Sequence, residues 1–421
     1  ASCAIHATLP WICLAGGSDS RLPKVVPLEN SRGVVFLLEV VVGGRHFRVL
    51  PDTGSSGVWL PGENCVRCTG AAKLPFVDKI QQGRVETFSY GDGMVVAGYE
   101  LDVEIRMGDS PGWSQGIVVA NNVTRPGHMR ASGVLGLAVN GTAARNISVL
   151  ARLRDELDAR FMSFIFGSNP RLSFSSGVQL PLCDGCGLWT FGDAGFAQRT
   201  GVWLTSVMAV CLDGFPEVNF QRTSDTGAPA LVDTGSSFVI LRDDIFVTVA
   251  DDVAAVLEAC TWRGSRLLEC DCPPSSSMAD ALPDLVVSLA RAGGDIADLR
   301  VPLRSLLIDA AREGTGERSC VLMIERGTQS QPVPIVLGLA FLQHFAVGFD
   351  LHTMQVGFAK LPEPVESNLA WVMVAVAVGL VAACVVWVRS ACGTACEVER
   401  DLIAKIEERE ATGRLLDTDR E

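Results

Sequence analysis

Asp52 and Asp233 each open the same run, Asp-Thr-Gly-Ser-Ser, at positions 181 apart (233 − 52). One Asp-Thr-Gly turn is an ordinary loop feature. Two copies with matching surroundings are a repeat. The first reads Leu50-Pro51-Asp52-Thr53-Gly54-Ser55-Ser56 and the second Leu231-Val232-Asp233-Thr234-Gly235-Ser236-Ser237. Each is followed downstream by an apolar-apolar-Gly element, Val134-Leu135-Gly136-Leu137 and Val336-Leu337-Gly338-Leu339. Elements that recur in the same order predict two lobes related by duplication.

The residue types suit hydrolysis by an activated water. Two carboxyls brought to hydrogen-bond distance cannot both ionise cheaply, so they share one proton. The ionised member can take a proton from water while the protonated member donates to a carbonyl oxygen. Such a pair titrates as a unit, so the two roles are not divided between Asp52 and Asp233. Gly54 and Gly235 would let the backbone come close to the carboxylates. Thr53 and Thr234 can hydrogen-bond across the two loops, and Ser55 and Ser236 can donate to the outer carboxylate oxygens.

The elements that must hold these loops read as strands. Val34–Leu38 and Val40–Val42 precede the turn signal Gly43-Gly44, and Phe47–Leu50 resumes the strand up to Asp52. Short apolar runs punctuated by Gly, Pro, Asn or Asp continue to Ala359. Helical spacing is clearest over Ala143–Arg160, where Ile147, Leu150, Leu153 and Leu157 recur every three or four residues, and a second helix is expected over Asp243–Cys260. The fold class predicted is mainly β with a few short helices.

With these residues in view, the chain from Val34 to about Ala359 resembles the pepsin-like aspartic protease family. That family's dyad is the standard case of two carboxyls sharing a proton, so the chemical argument and the resemblance are not independent. Phe88-Ser89-Tyr90-Gly91-Asp92-Gly93 resembles the family's flap, which makes Tyr90 the flap tyrosine and Trp59 its hydrogen-bond partner. Read without the family, Tyr-Gly-Asp-Gly is a plain hairpin turn. The runs ending at Gly338, Asp350 and Ala359 are similar to the family's last strands. The resemblance implies a bilobal endopeptidase that needs no cofactor or metal and holds a polypeptide substrate extended in a cleft beneath the flap. Pro51 departs from the pattern, since the family usually has a residue with an N–H there. A long Lys-rich prosegment is also not visible, and Lys24–Leu28 resembles only the start of one.

Cysteines fit the same resemblance. Cys65 and Cys68 follow the first loop, where the family has a small disulfide. Cys272 lies before a region whose cysteine pairs in the family with one near Cys320. Cys183–Cys186 and Cys260–Cys270 would complete four pairs and leave Cys211 odd, although connectivity does not follow from sequence alone. Zinc is the competing use of two C-x2-C pairs. The pairs are 115 positions apart (183 − 68) in a chain that reads as secretory, which disfavours it. With five His and no H-E-x-x-H, metalloprotease chemistry lacks ligands. His344 and His352 read as surface or core residues.

The whole chain of 421 residues is 48% hydrophobic and 20% charged, enough apolar content to build two packed lobes. A net charge of −13 without basic runs argues against nucleic acid as a partner. Sequons at Asn122, Asn140 and Asn146 are glycosylation candidates in a secretory protein. Leu369–Val388 carries no charge over twenty residues, which is about 30 Å of helix, and Trp371 and Trp387 lie near its ends. The expected organisation is a signal-peptide remnant at 1–17 and a short prosegment at 18–33. An N-terminal lobe at 34–170 and a C-terminal lobe at 171–361 follow. A transmembrane helix at 369–388 and a cytoplasmic tail at 389–421 complete it. Ile5–Leu14 also fits a buried strand. In the tail, Cys392 and Cys396 are either palmitoylation sites or bystander thiols. The resulting picture is a single-pass type I protein of the secretory or endolysosomal system or cell surface, its catalytic part lumenal or extracellular and monomeric. The alternatives are a protease fold kept as a binding module, which intact Asp52, Asp233 and Tyr90 disfavour, and a structural membrane glycoprotein, which the duplicated loops disfavour.

Overall fold

Gly43 and Gly44 both adopt positive φ, 57° and 75°, the conformation a two-residue hairpin turn asks for. They fold β2 (Val35–Val42) back on β3 (Arg45–Asp52) with Leu38 opposite Val49, so β3 delivers Asp52 at its end. The structure, a computed structural model, describes residues 25–361 apart from 32, 69–71, 76–83, 92, 125–130, 139–147, 168, 177–189, 192–201, 222–225, 292–293, 313–315, 330 and 332.

Two sheets carry the two lobes. In the first half of the chain, β1 (Val25–Ser31), β2 and β3 are followed by β4 (Val58–Val66), β5 (Val85–Ser89), β6 (Val95–Met107), β7 (Trp113–Thr124) and β8 (Gly133–Gly136). Then come β9 (Phe161–Ile165), β10 (Arg171–Ser175) and β11 (Thr190–Phe191). The second lobe begins with β12 (Leu204–Leu212), β13 (Val218–Asn219), β14 (Ala228–Val232) and β15 (Val239–Leu241). It continues with β16 (Thr261–Arg263), β17 (Leu267–Cys270), β18 (Asp284–Ala290) and β19 (Ile296–Pro302). Last are β20 (Leu307–Ala311), β21 (Arg318–Arg326), β22 (Ile335–Leu337), β23 (Phe345–Asp350) and β24 (Gln355–Lys360). A sheet of 13 strands runs β11-β24-β23-β9-β10-β1-β2-β3-β8-β4-β7-β6-β5, and a sheet of 11 has β16-β17-β21-β15-β22-β14-β12-β18-β19 as its main path. Because β23, which carries β24 on its other edge, pairs with β9, the larger sheet ties the second half of the described chain to the first.

The sequence repeat is a structural repeat. β3 pairs in parallel with β8, placing Asp52 beside Gly136, and β14 pairs in parallel with β22, placing Val232 beside Leu337. In each lobe the strand after the Asp loop returns antiparallel to the same partner, β4 on β8 and β15 on β22. The apolar-apolar-Gly elements are therefore the floor on which the Asp loops rest. Their glycines are required sterically. A Cβ on Gly136 would lie 2.5 Å from the Ser56 carbonyl carbon, and one on Gly338 would strike the carbonyl oxygens of Ser236 and Phe238.

Among the described residues helices are few and short, as the sequence suggests. One spans Val149–Leu157, capped by the Ser148 side chain and ended by Asp158 in the left-handed conformation. The expected start at Ala143 lies outside the described residues. The second helix expected from sequence spans Asp243–Val256, four residues short of the expected Cys260. Leu257 is already extended, and the Cys260–Cys270 disulfide commits the next residues to the β16–β17 hairpin. Val25–Ser31, read from sequence as part of a prosegment, form β1, which pairs with β10 and β2. Among the described residues no helix is long and apolar enough to cross a membrane. The expected signal remnant, transmembrane helix and tail all lie outside the described residues.

Candidate active site

The two Asp loops meet through a reciprocal set of hydrogen bonds. The Thr53 amide donates to the Thr234 hydroxyl oxygen at 3.1 Å, and the Thr234 amide donates to that of Thr53 at 3.0 Å. Each hydroxyl in turn donates to the carbonyl before the opposite aspartate, Thr53 to Val232 at 2.7 Å and Thr234 to Pro51 at 2.6 Å. Both threonines are buried, so these bonds are shielded from water. Pro51 thus does its part with its carbonyl, which proline retains; only the N–H is missing.

Each carboxylate is held in the same way. The Gly54 amide donates to Asp52 Oδ1 at 2.9 Å and Ser55 Oγ to Oδ2 at 2.5 Å. In the second loop Gly235 N and Ser236 Oγ reach Asp233 Oδ1 and Oδ2 at 2.8 and 2.7 Å. The glycines also fix how close the loops come. A Cβ on Gly54 would be 2.8 Å from the Asp233 carboxyl carbon, and one on Gly235 would collide with Asp52 Oδ1. Each glycine therefore faces the carboxylate of the other loop. Burial pushes the Asp52 carboxyl well above the usual carboxylate range, and the negative charge of Asp233 adds to the rise. The Ser55 and Gly54 bonds oppose that rise without cancelling it. A carboxyl that keeps its proton beside another carboxyl equips the site with an acid and a base at one place.

Above the first loop, β5 and β6 form a hairpin closed at Tyr90. The Tyr90 amide donates to the Met94 carbonyl at 2.9 Å, and Gly93, at φ 84°, donates back to the Tyr90 carbonyl at 3.0 Å. Trp59 Nε1–H donates to the Tyr90 hydroxyl at 3.0 Å, which joins the hairpin to β4. Sequence reasoning missed a second contact of this hairpin. The Phe88 ring lies so close to Gly57 that a Cβ there would be 2.6 Å from it. It also missed Ser237, whose hydroxyl donates to the Val34 carbonyl of the first lobe at 2.7 Å. The only signals were a glycine after the repeat and the last serine of the run.

The remaining sequence candidates lie outside this site. Cys65–Cys68, Cys260–Cys270 and Cys272–Cys320 are disulfides, and Cys211 is a buried free thiol. Cys183 and Cys186 lie outside the described residues. Cys272, Asp309 and Cys320 cluster, but both thiols are consumed by their disulfide. Asn122 is exposed on β7, while the Thr124 hydroxyl of its sequon bonds the Val95 main chain. Asn140 and Asn146 lie outside the described residues. His344 Nε2 is 3.0 Å from Ser305 Oγ, and burial pushes its pKa down to about 4.

Comparison with known proteins gives the same frame. The family model described as eukaryotic aspartyl protease matches residues 36–164 and 197–361. Mucorpepsin of Rhizomucor pusillus is 24% identical over 369 residues, covering 79% of this chain and 80% of the relative. The vacuolar aspartic protease of Candida albicans is 25% identical over 360 residues, covering 79% of this chain and 77% of the relative.

Proposed function

The chain belongs to the eukaryotic aspartyl protease family and is an aspartic endopeptidase; from that premise we propose that Asp52 and Asp233 are its catalytic pair. The observation that carries the assignment is the packing of each loop's glycine against the other loop's carboxylate. In this reading one dyad carboxylate takes a proton from a water lying between the two, and that water attacks the scissile carbonyl carbon. The protonated carboxyl donates to the carbonyl oxygen. Collapse of the tetrahedral species then expels the amine, which leaves with a proton from the dyad. Ser55, Ser236 and the amides of Gly54 and Gly235 hold the carboxylates in place, and the two threonines fix the loops to each other. Tyr90, anchored by Trp59, closes over an extended polypeptide and excludes water.

The site acts in a lumenal or extracellular compartment, from a chain anchored by Leu369–Val388 with a cytoplasmic tail. Three disulfides among the described residues support an oxidising compartment, and the Candida albicans relative is named as vacuolar. The uncharged run and the sequons support anchoring and glycosylation. Digestion of a peptide library at acidic pH, with inhibition by a statine peptide, tests the catalytic reading. Cleavage that a statine peptide leaves untouched would count against it. Protease treatment of sealed vesicles tests topology: the catalytic region should be shielded and the 389–421 tail digested, and the reverse pattern would overturn the orientation.

A further inference from the structure

Trp203 is fully buried just ahead of β12 in the second lobe, yet its indole N–H donates to the Leu137 carbonyl of the first lobe at 2.7 Å. The Leu137 amide donates to the Asp52 carbonyl at 2.6 Å. On its other side the Trp203 carbonyl accepts the Val232 amide at 2.9 Å, and the Val232 carbonyl accepts the Thr53 hydroxyl at 2.7 Å. The series closes on itself, from Asp52 through Leu137, Trp203 and Val232 to Thr53, the neighbour of Asp52. In sequence, a lone Trp in an apolar run gives no sign of this.

The ring that carries the N–H is fixed by its surroundings. It stands edge-on to Phe349 with centroids 4.9 Å apart, and Phe349 is edge-on to Phe164 at 6.1 Å. Phe164 stacks on Phe166 at 5.5 Å, and Phe166 lies 4.9 Å from Phe36 on β2. This row of buried rings crosses from one lobe's strands to the other's and ends in Phe36 and Trp203, of which Trp203 alone has a polar handle. The ends are related by the repeat. Continuing the β2–β3 register by two residues puts Phe36 opposite Pro51, as Trp203 lies opposite Val232. Val232 donates its amide to that partner; Pro51 has none to give. The Asp52 loop therefore lacks a main-chain tether that the Asp233 loop has, and the indole supplies one from the opposite lobe.

We propose that Trp203 is a positioning residue for the dyad: its indole N–H, through Leu137, fixes the main chain of Asp52 against the second loop and so sets how closely the two carboxyls are paired. The proposal rests on Asp52 and Asp233 being the catalytic pair. Trp203→Phe keeps a buried ring but leaves the buried Leu137 carbonyl without this donor.

In the full chain this variant should lose roughly ten- to a hundredfold in kcat with KM changed less than about threefold, because geometry and not substrate affinity is disturbed. Its pH profile should narrow on both limbs, since a looser pair interacts less. Phe246→Leu, on the Asp243–Val256 helix and outside this row of rings, should lower thermal stability without narrowing the profile. Carboxyl 13C NMR of aspartate-labelled protein reads the dyad's titration without turnover; the two steps should lie closer together in Trp203→Phe. In the wild type the Trp203 indole proton resonance should itself titrate with the dyad, a measurement that does not depend on the variant folding. Titration steps unchanged in Trp203→Phe, or an indole resonance indifferent to the dyad, would overturn the proposal. A wild type that cleaves no peptide would instead sink the catalytic assignment, and the NMR titration would still decide the role of Trp203.

Discussion

Gly54 and Gly235 leave no room for a side chain because each is pressed against a carboxylate from the other loop. Gly235→Ala should therefore push the Asp52 carboxyl out of place and lower kcat by about a hundredfold or more while the lobes stay folded. Steady-state rates together with circular dichroism check this, and near-normal turnover would mean the loops are not as close as described. Asp52 itself gives a pH prediction with a definite sign. Its folded pKa is raised, by burial first and by Asp233 second. An acid of this kind holds its proton more tightly in the fold than in the unfolded chain. It favours folding below its unfolded value of about 4 and loses that contribution as pH rises through the folded pKa. Asp52→Asn removes the buried charge, so it should melt higher than wild type at pH 7, with the gap closing near pH 3.5. Melting curves at the two pH values decide it; a gap independent of pH would contradict the raised pKa.

At the scale of elements, the Asp loops and their floor were legible in the sequence because they occur twice. Gly136 and Gly338 stood out as the ends of a repeated motif, and the structure supplies the reason, a main chain crossing where a Cβ would sit. The β2–β3 hairpin was legible from Gly43-Gly44. Long-range constraints were not. Asp243–Val256 ends early because a disulfide between Cys260 and Cys270 redirects the chain, a constraint no local periodicity records. Phe88 against Gly57 and Trp203 against Leu137 join residues far apart in sequence, and each alone looks like core. Pro51 reads as a departure in sequence because sequence shows the missing N–H and not which group the threonine uses.

His344, just past the short helix Leu339–Leu342, adds an element-scale prediction. Burial lowers its pKa to about 4, so the fold holds it neutral. A histidine whose folded pKa is depressed stabilises fully above its unfolded value of about 6.5 and loses that contribution as pH falls towards 4. His344→Gln can keep a hydrogen bond to Ser305, and it should lose less stability than wild type between pH 6.5 and 4, by about 2–3 kcal/mol. Urea titrations at the two pH values measure the difference, and equal losses in both proteins would show that His344 is not held neutral.

On the scale of the whole molecule, duplication puts one acidic loop at the end of a strand in each lobe, and a shared sheet holds the lobes together. In the proposed mechanism neither loop is a catalyst alone. The reaction needs one carboxyl charged and its neighbour protonated, and that difference exists only where the lobes meet. Both aspartates must therefore be needed at once. Turnover of a peptide substrate at acidic pH by the full chain, compared with Asp52→Asn and Asp233→Asn, tests this most directly. We expect each single variant to be folded and to lose at least about a thousandfold in kcat/KM, with the double variant no worse than either, because the two residues act as a unit. Near-wild-type turnover by either folded single variant would contradict the account.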